Sequence, residues 1–522
     1  MLEEDNRKPF YNIHGKYKMK VLFIYPNIGS QLGFNYGVSF LSALLKNSGH
    51  QVIFRQFCED LGPLPSKEEF SSWLMEIRPD IIGFSVVTNQ WPYAARLAGW
   101  CREVSTAPLV CGGIHATVAT REVLESGSFD YVFSGECEYA FLEFVDRMAR
   151  KEDVSDVRNM GLVVDNNIRI NPIRPMPELT GLQPKDYEIF DFQKIIDAKN
   201  GWVGLMASRG CPFNCSYCFN HIMVKKYRDD LACSFKDLHY IRHHSVAQII
   251  DEVVYLEKNF SNIKMFIFDD DLFTFDKDYV VEFCNAYKKA STLPFVVNAH
   301  VGFFDDDRAK ALADANCKIV KFGVESGSER IRRQVMNRRT SNKKIIEAIG
   351  LVHKYRMHSS CFIMIGLPYE GYQDVMETIT LLGEARPGRF RWTFFFPFPG
   401  TKAHELSIEG GYVDMDKIGT LLNFTDESCL DFGSEHNLFL KKVGLIMPWF
   451  VNACAGLDVS PFYREKVERL MQMDQDEFEK ISSSIHEEDR QISLRFQAEG
   501  KTHYAIKYNP FMGVISDYFM KE

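Results

Sequence analysis

Short apolar runs recur along the first third of the chain, separated by stretches whose apolar residues return every three or four positions. Val21 to Tyr25, Ile81 to Val87, Leu109 to Cys111 and Tyr131 to Phe133 are too short and too β-branched for helices. They suit strands buried on both faces of a parallel sheet. Between them Val38, Leu41, Leu44 and Leu45 repeat at helical spacing, and Gly49 stands where a C-cap belongs. This alternation predicts a doubly wound, Rossmann-like α/β domain over residues 19–149, with residues 1–18 as an extension ahead of it. Such domains bind ligands beyond the carboxyl ends of their strands.

Residues 150–195 read as a hairpin and linker. Gly161 to Val164 and Ile168 to Asn171 flank Asn166-Asn167, and Pro172, Pro175, Pro177 and Pro184 follow. A second β/α series occupies residues 196–402. Its expected strands are Val203–Ala207, Met265–Phe268, Phe295–Asn298, Ile319–Gly323, Cys361–Gly366 and Trp392–Phe396. Ser245 to Gln248 forms a capping box that opens a helix running through Asn259. Six such units predict a partial TIM-type (β/α)6 barrel with its site at the strand C-termini. Residues 403–522 follow a mostly helical pattern.

Composition narrows the function classes. The chain has 522 residues, 46% hydrophobic and 25% charged, the balance of an ordinary globular protein. A formal net charge of −9 argues against a general nucleic-acid binder. The acidic, polar start from Met1 to Lys8 is no secretory signal, and the lack of an apolar run of about 18 residues predicts no membrane span. Thirteen cysteines, scattered through strands and helices, read as reduced thiols or metal ligands in a cytoplasmic protein.

The expected strand ends of the first domain carry candidate ligand contacts: Asn27; then Ser85, Thr88, Asn89, Gln90 and Trp91; then Gly112, Gly113 and His115; then Gly135 and Glu136. Glycines at such ends let a bulky ligand approach the backbone, or they simply shape tight turns.

The segment from Ser208 to Cys218 carries the most chemistry. Cys211, Cys215 and Cys218, at C-x3-C-x2-C spacing, can wrap one corner of an iron–sulfur cube from a single loop. A fourth cysteine would close the cluster, and its absence from the loop leaves one iron open to a ligand. A zinc site is the alternative, with His221 or Cys233 as fourth ligand, although the spacing fits either poorly. The run Asp269-Asp270-Asp271 needs a cation or hydrogen-bond donors nearby, or else caps a helix.

Cys211-x3-Cys215-x-Tyr217-Cys218 at the end of the first barrel strand resembles the radical S-adenosylmethionine (SAM) signature. Four later motifs support the likeness in order: Phe268 to Phe273, Gly323-Val-Glu325-Ser-Gly-Ser328, Cys361 to Glu370, and Pro397 to Thr401. The resemblance implies a [4Fe–4S] cluster on the three cysteines and SAM on the open iron. It implies cleavage of SAM to a 5′-deoxyadenosyl radical, with Phe213, Tyr217, Asp269, Asp270, Glu325, Ser326, Gly366 and Pro368 near SAM. Tyr217 reads equally as a core aromatic.

The domain order resembles the subgroup with a cobalamin-binding domain ahead of the barrel, which includes methylases, a bacteriochlorophyll-ring cyclase and a ring-contracting enzyme. This implies cobalamin at Asn27, Ser85, Thr88, Asn89, Gln90, Trp91, Gly112, Gly113, His115, Gly135 and Glu136. One departure is the lack of an Asp-x-His-x-x-Gly motif. No histidine is therefore expected on cobalt, Thr88 to Trp91 would face the lower corrin side, and His115 would be a loop or nucleotide-tail contact. The activity implied is methyl transfer to an unactivated carbon of a small molecule through the 5′-deoxyadenosyl radical and methylcobalamin. Cyclisation, rearrangement or oxidation is the alternative, and a non-enzymatic iron–sulfur sensor a further one. The implied partners are a small-molecule substrate and an external electron donor such as flavodoxin or ferredoxin, with no nucleic acid. The largely basic stretch of Lys225, Lys226, Tyr227, Arg228, His239, Arg242, His243 and His244 would face an anionic substrate or solvent.

Overall fold

Val21, Leu22 and Ile24 are fully enclosed, as are Ile81 and Ile82, so the first apolar runs are strands covered on both faces. The computed structural model describes residues 18–30, 32–414, 427–509 and 514–519, so all of the expected N-terminal extension but Lys18 lies outside the described residues. The chain divides into two compact units. One comprises Met1–Gly29, Gly33–Ile195 and Lys226–Leu238; the other comprises Ser30–Leu32, Ile196–Lys225 and His239–Glu522.

The first unit is built on a seven-stranded sheet of β1 (Lys20–Pro26), β2 (Gln51–Phe57), β3 (Ile81–Ser85), β4 (Leu109–Gly112), β5 (Tyr131–Phe133), β6 (Met160–Val164) and β7 (Asn167–Ile170). Its order is β2-β1-β3-β4-β5-β6-β7. The first five strands are parallel, and β6 and β7 add antiparallel. Helix Tyr36–Asn47 is capped by Asn35, whose side chain accepts from the Val38 amide at 3.0 Å, and Gly49 beyond its end has φ +91°. Strand β2 escaped the sequence reading because it lies at the sheet edge, where Gln51, Arg55 and Gln56 interrupt its apolar positions. The hairpin turn falls one residue earlier than expected. Asp165 and Asn166 take φ +49° and +61°, the left-handed pair that a two-residue hairpin requires.

The second unit carries β8 (Trp202–Leu205), β9 (Ser208–Arg209), β10 (Arg242–His243), β11 (Met265–Phe268), β12 (Phe295–Ala299), β13 (Cys317–Glu325), β14 (His358–Ile365), β15 (Arg389–Phe394), β16 (Tyr504–Asn509) and β17 (Val514–Phe519). Six parallel strands run in chain order, β8-β11-β12-β13-β14-β15, as a half-barrel needs. The predicted capping box holds: Ser245 accepts from the Gln248 amide, and helix Val246–Asn259 follows.

Beyond the barrel the chain is mostly helical, as expected, through Ser434–Cys454, Ser460–Gln472, Gln475–Ser482 and Ile485–Ala498. Trp449 and Tyr463 are core, and Trp449 Nε1 donates to Asp489 at 2.7 Å. The hairpin β16–β17 was not anticipated; it extends the barrel sheet antiparallel to β15. Among the described residues no helix is long and apolar enough to cross a membrane.

Candidate active site

The cysteine loop leaves the end of β8 under several restraints. Ser208 and Arg209 pair antiparallel with His243 and Arg242. Gly210 then takes φ +94°, where a Cβ would lie 2.3 Å from the Tyr240 carbonyl oxygen, so the turn requires glycine. Cys211, Cys215 and Cys218 are all free thiols on this loop, and the Cys218 amide donates to the Cys215 carbonyl at 3.1 Å. Burial pushes the Cys211 thiol up to about 11 and that of Cys218 up to about 12. Thiolates there need a cation beside them, which iron supplies. Among the described residues no three His, Cys, Asp or Glu side chains stand close enough to hold a single metal ion. A cube that takes each thiolate on a different iron does not require that closeness, so the donor set fits a cluster.

Two of the three consecutive aspartates brace this loop. Asp270, 1% exposed, accepts from the Ala207 amide at 3.1 Å and from the Ser208 hydroxyl. Asp271 accepts from Asn220 Nδ2 at 3.3 Å, and Asn220 in turn accepts from the Tyr240 hydroxyl at 2.7 Å. Burial pushes the Asp270 carboxyl up to about 7, against those hydrogen bonds. Asp269 lies apart from them and acts electrostatically on Lys199 and Lys321.

Strand β13 supplies the facing side. Pairing with β14 slips between Gly323 and Glu325, and Glu325 has φ +68°. This bulge re-aims the glutamate. A Cβ on Gly323 would lie 2.4 Å from Glu325 Oε1, so the glycine gives that carboxylate its room. Arg338, which the sequence reading missed, ties the group together. Its Nη1 lies 3.5 Å from Cys215 Sγ and 3.2 Å from the Tyr217 hydroxyl, and its Nη2 donates to the Gly323 carbonyl at 2.7 Å. Burial opposes its charge, yet Tyr217, Glu325 and Cys215 hold its pKa above the ordinary value. Burial raises the Glu325 carboxyl, against the pull of Arg338 and a hydrogen bond from Tyr217. Tyr217 is thus both partly buried against an apolar cluster and part of the polar group. Arg338 Nε is buried with no hydrogen-bond partner among the described residues, an orphaned donor that suits an anionic ligand group. Phe213 stacks on His300 with ring centroids 4.1 Å apart. Burial, with help from Arg338, pushes His300 down to about 3, so its ring is neutral. The signal for Arg338 was its place 13 residues after Glu325 in an arginine-rich run, which is hard to tell from a solvated helix end.

The remaining expected SAM contacts are backbone formers. Ser326 is fully buried and its hydroxyl lies 3.3 Å from Thr378 Oγ1. Gly366 takes φ +74° and donates its amide to Glu370 at 2.6 Å, and Pro368 is buried next to this turn.

In the first unit the expected strand ends lie at the carboxyl edge of the sheet. Asn35 Nδ2 donates to Ser85 Oγ at 2.9 Å. Val86 accepts from the His115 amide at 3.0 Å, and a Cβ on Gly113 would come within 2.7 Å of the Val86 backbone. His115 packs on Trp91 with ring centroids 4.9 Å apart. Burial pushes His115 down to about 4, and its Nδ1 is buried with no hydrogen-bond partner among the described residues. Gly113 and Gly135 make room for Val86 and Tyr227, so the orphaned His115 nitrogen is the group at this edge that fits a ligand. Asn27 is buried at the end of β1, and Thr88 and Asn89 are half-buried. Gln90 is otherwise engaged, accepting from the Ile28 amide at 3.0 Å and donating to its carbonyl at 2.7 Å. Gly135 has φ +74°, and the Glu136 amide donates to the Tyr227 hydroxyl at 2.7 Å. The basic stretch after the cysteines is therefore split. Tyr227 is buried against Gly135 and Glu136, Arg242 is buried, and Lys225, Arg228 and His239 are exposed.

Comparisons with known proteins agree with this layout. The B12 binding domain family matches residues 30–145, and the Radical SAM superfamily matches residues 205–382. The chain thus carries a radical SAM domain preceded by a B12-binding domain, the arrangement of cobalamin-dependent radical SAM enzymes. It is 25% identical over 429 residues to Uncharacterized methyltransferase PH0819 of Pyrococcus horikoshii, covering 78% of this chain and 89% of that one. It is 24% identical over 434 residues to the anaerobic magnesium-protoporphyrin IX monomethyl ester cyclase of Rubrivivax gelatinosus, covering 80% and 75%. The fold resembles that of the radical SAM methyltransferase TsrM from Kitasatospora setae, with TM-score 0.61, 15% identity and 75% and 76% coverage.

Proposed function

We propose that this enzyme is a methyltransferase acting at an unactivated carbon of a small-molecule substrate. The observation that carries the reading is one chain holding both a three-cysteine loop faced by Glu325 and Arg338 and a domain that matches the B12 binding family. The methyltransferase relative spanned over most of its length supports it. When bound, the cluster with SAM supplies one-electron reductive chemistry, and cobalamin supplies a transferable methyl group.

Cys211, Cys215 and Cys218 would hold the cluster, and Asp270 and Asp271 keep their loop in place. Arg338 would offer its free Nε to an anionic group of SAM. Glu325 faces the loop and meets Tyr217 from it, and Phe213 on His300 adds a flat apolar wall. Thr88, Asn89, Trp91, Gly112, Gly113 and His115 would line the corrin, whereas Gln90 serves to fix the Ile28 turn. An external donor such as flavodoxin or ferredoxin would deliver the electrons. Cyclisation is the second reading, favoured by the cyclase relative. Reduced, cofactor-loaded enzyme given trideuteromethyl-SAM and a metabolite extract separates them. Methylation yields a product carrying the labelled methyl, whereas 5′-deoxyadenosine without any labelled product rejects it.

A further inference from the structure

The lumen of the half-barrel holds a cluster of positive side chains, none of them among the expected cofactor contacts. On β13 the partly exposed Ile319, Lys321, Gly323 and Glu325 alternate with the buried Val320, Phe322 and Val324, so the first set faces inward. Lys321 is in register with Asn298 on β12 and with Ser360 on β14, and Ser360 is in register with Arg389 on β15. One alternation nearer the strand C-termini, Gly323 matches Phe362, and Phe362 matches Arg391. Residues in register on neighbouring strands share a face. On β15, Trp392 sends Nε1 to the Gly444 carbonyl at 2.7 Å, which puts Arg389 and Arg391 on the opposite, inner side. The Arg391 guanidinium lies 5.5 Å from the centre of the Phe362 ring, within that lumen.

Lys199 and Asp269 complete the group, since Lys321 feels Asp269, Arg391, Arg389 and Lys199. Lys199, Arg389 and Arg391 are 8%, 5% and 6% exposed. These side chains also have partners within the protein, so the cluster is held before any ligand arrives. Burial first, then Arg391, Arg389 and Lys199, push Lys321 down to about 8, with Asp269 opposing. At neutral pH Lys321 is therefore still mostly an ammonium, crowded by like charges and desolvated. An anion entering the lumen would relieve both costs. The position is also near the chemistry. Gly323, one alternation or roughly 7 Å above Lys321, accepts from the same Arg338 that touches Cys215.

Resting on the methyltransferase reading, we propose that the lumen seats an oxyanion of the substrate, a carboxylate or a phosphate, among Lys321, Arg389 and Arg391. The enzyme's substrate is then a small organic acid or phosphate ester, held by its charged end below the cysteine loop. Guanidinium groups suit this role because their planar forks match both oxyanions.

Calorimetric titration of the full-length chain with inorganic sulfate, and separately with succinate, tests the assignment. Sulfate stands for the phosphate form and holds its charge across the mildly alkaline range; succinate stands for the carboxylate form. Saturable binding of either anion to the wild type is expected, at least tenfold weaker in Lys321→Met and in Arg391→Gln and nearly preserved in Lys321→Arg. Wild-type affinity should also fall as pH rises through about 8, the Lys321 value, and fall less in Lys321→Arg. That pH series decides the matter if Lys321→Met fails to fold. No saturable binding to the wild type, or binding unchanged in both Lys321→Met and Arg391→Gln, overturns the proposal. Iron loading and SAM cleavage measured on the same protein keep the two readings apart. A chain that cleaves SAM without binding either anion loses the oxyanion site alone, and a chain that binds anions but never loads iron loses the enzymatic reading.

Discussion

Replacing Asp270 should loosen the cysteine loop without touching a cysteine. The carboxylate is buried at 1% exposure and accepts from the Ala207 amide and the Ser208 hydroxyl. In Asp270→Ala both donors lose their partner inside the protein, at about 1–3 kcal/mol each. Relief of the buried carboxylate offsets part of this, because its pKa of about 7 leaves it partly ionised at neutral pH. A net local cost of about 2–4 kcal/mol follows, and at 1.4 kcal/mol per tenfold that corresponds to roughly 30- to 700-fold more frequent opening of the segment. Hydrogen exchange read by mass spectrometry on peptides spanning residues 205–220 measures that opening directly. Asp270→Asn keeps one carbonyl acceptor and should show less than a tenth of the acceleration. The alanine variant should also retain less iron after anaerobic reconstitution. Exchange within twofold of wild type, together with full iron content, would refute the idea that this aspartate holds the loop.

Other consequences are as direct. Because the Asp270 carboxyl is raised from 3.8 to about 7, its contribution to stability is complete below pH 3.8 and is lost as pH rises through about 7. Unfolding of Asp270→Asn should therefore depend less on pH than that of the wild type across this window. Gly327→Ala places a Cβ 2.3 Å from Thr378 Cα, a backbone atom that cannot yield, and should cost about 3 kcal/mol or more in denaturant unfolding. Arg338→Met removes the buried cation beside Cys215, Tyr217 and Glu325 and should weaken SAM binding at least tenfold in equilibrium dialysis, with iron content checked alongside.

Strands covered on both faces left a clear trace in the sequence, and so did the cysteine loop, because each needs a dense run of one residue type. All six barrel strands begin within three residues of the expected start, and β11 and β12 begin at it. Strand β14 begins three residues earlier than its apolar stretch, because His358, Ser359 and Ser360 are polar positions in an otherwise buried strand. Edge strands were harder: β2 carries Gln51, Arg55 and Gln56, and β16 is the outermost strand of the barrel sheet, beyond β17. The site was legible where residues act through a local motif, as with Cys211, Cys215 and Cys218. It was obscure where they act across the sheet. Arg338 reaches Cys215 from 123 positions away, and Lys321 gathers with Arg389 and Arg391 only once the strands are in register. Spacing along the chain also cannot tell an aspartate that braces a loop from one that meets a ligand. Asp270 turns its carboxylate on Ala207 and Ser208, whereas its neighbour Asp269 acts on lysines of the lumen.

The most direct test of the account is a joint count of bound cofactors on one chain. The protein is reconstituted anaerobically with iron, sulfide and hydroxocobalamin, desalted, and assayed for iron and corrin. About four irons and about one corrin per chain are expected, the iron falling away in Cys215→Ser while the corrin remains. Iron without any corrin, or corrin with no iron in the wild type, would contradict a chain built to use both.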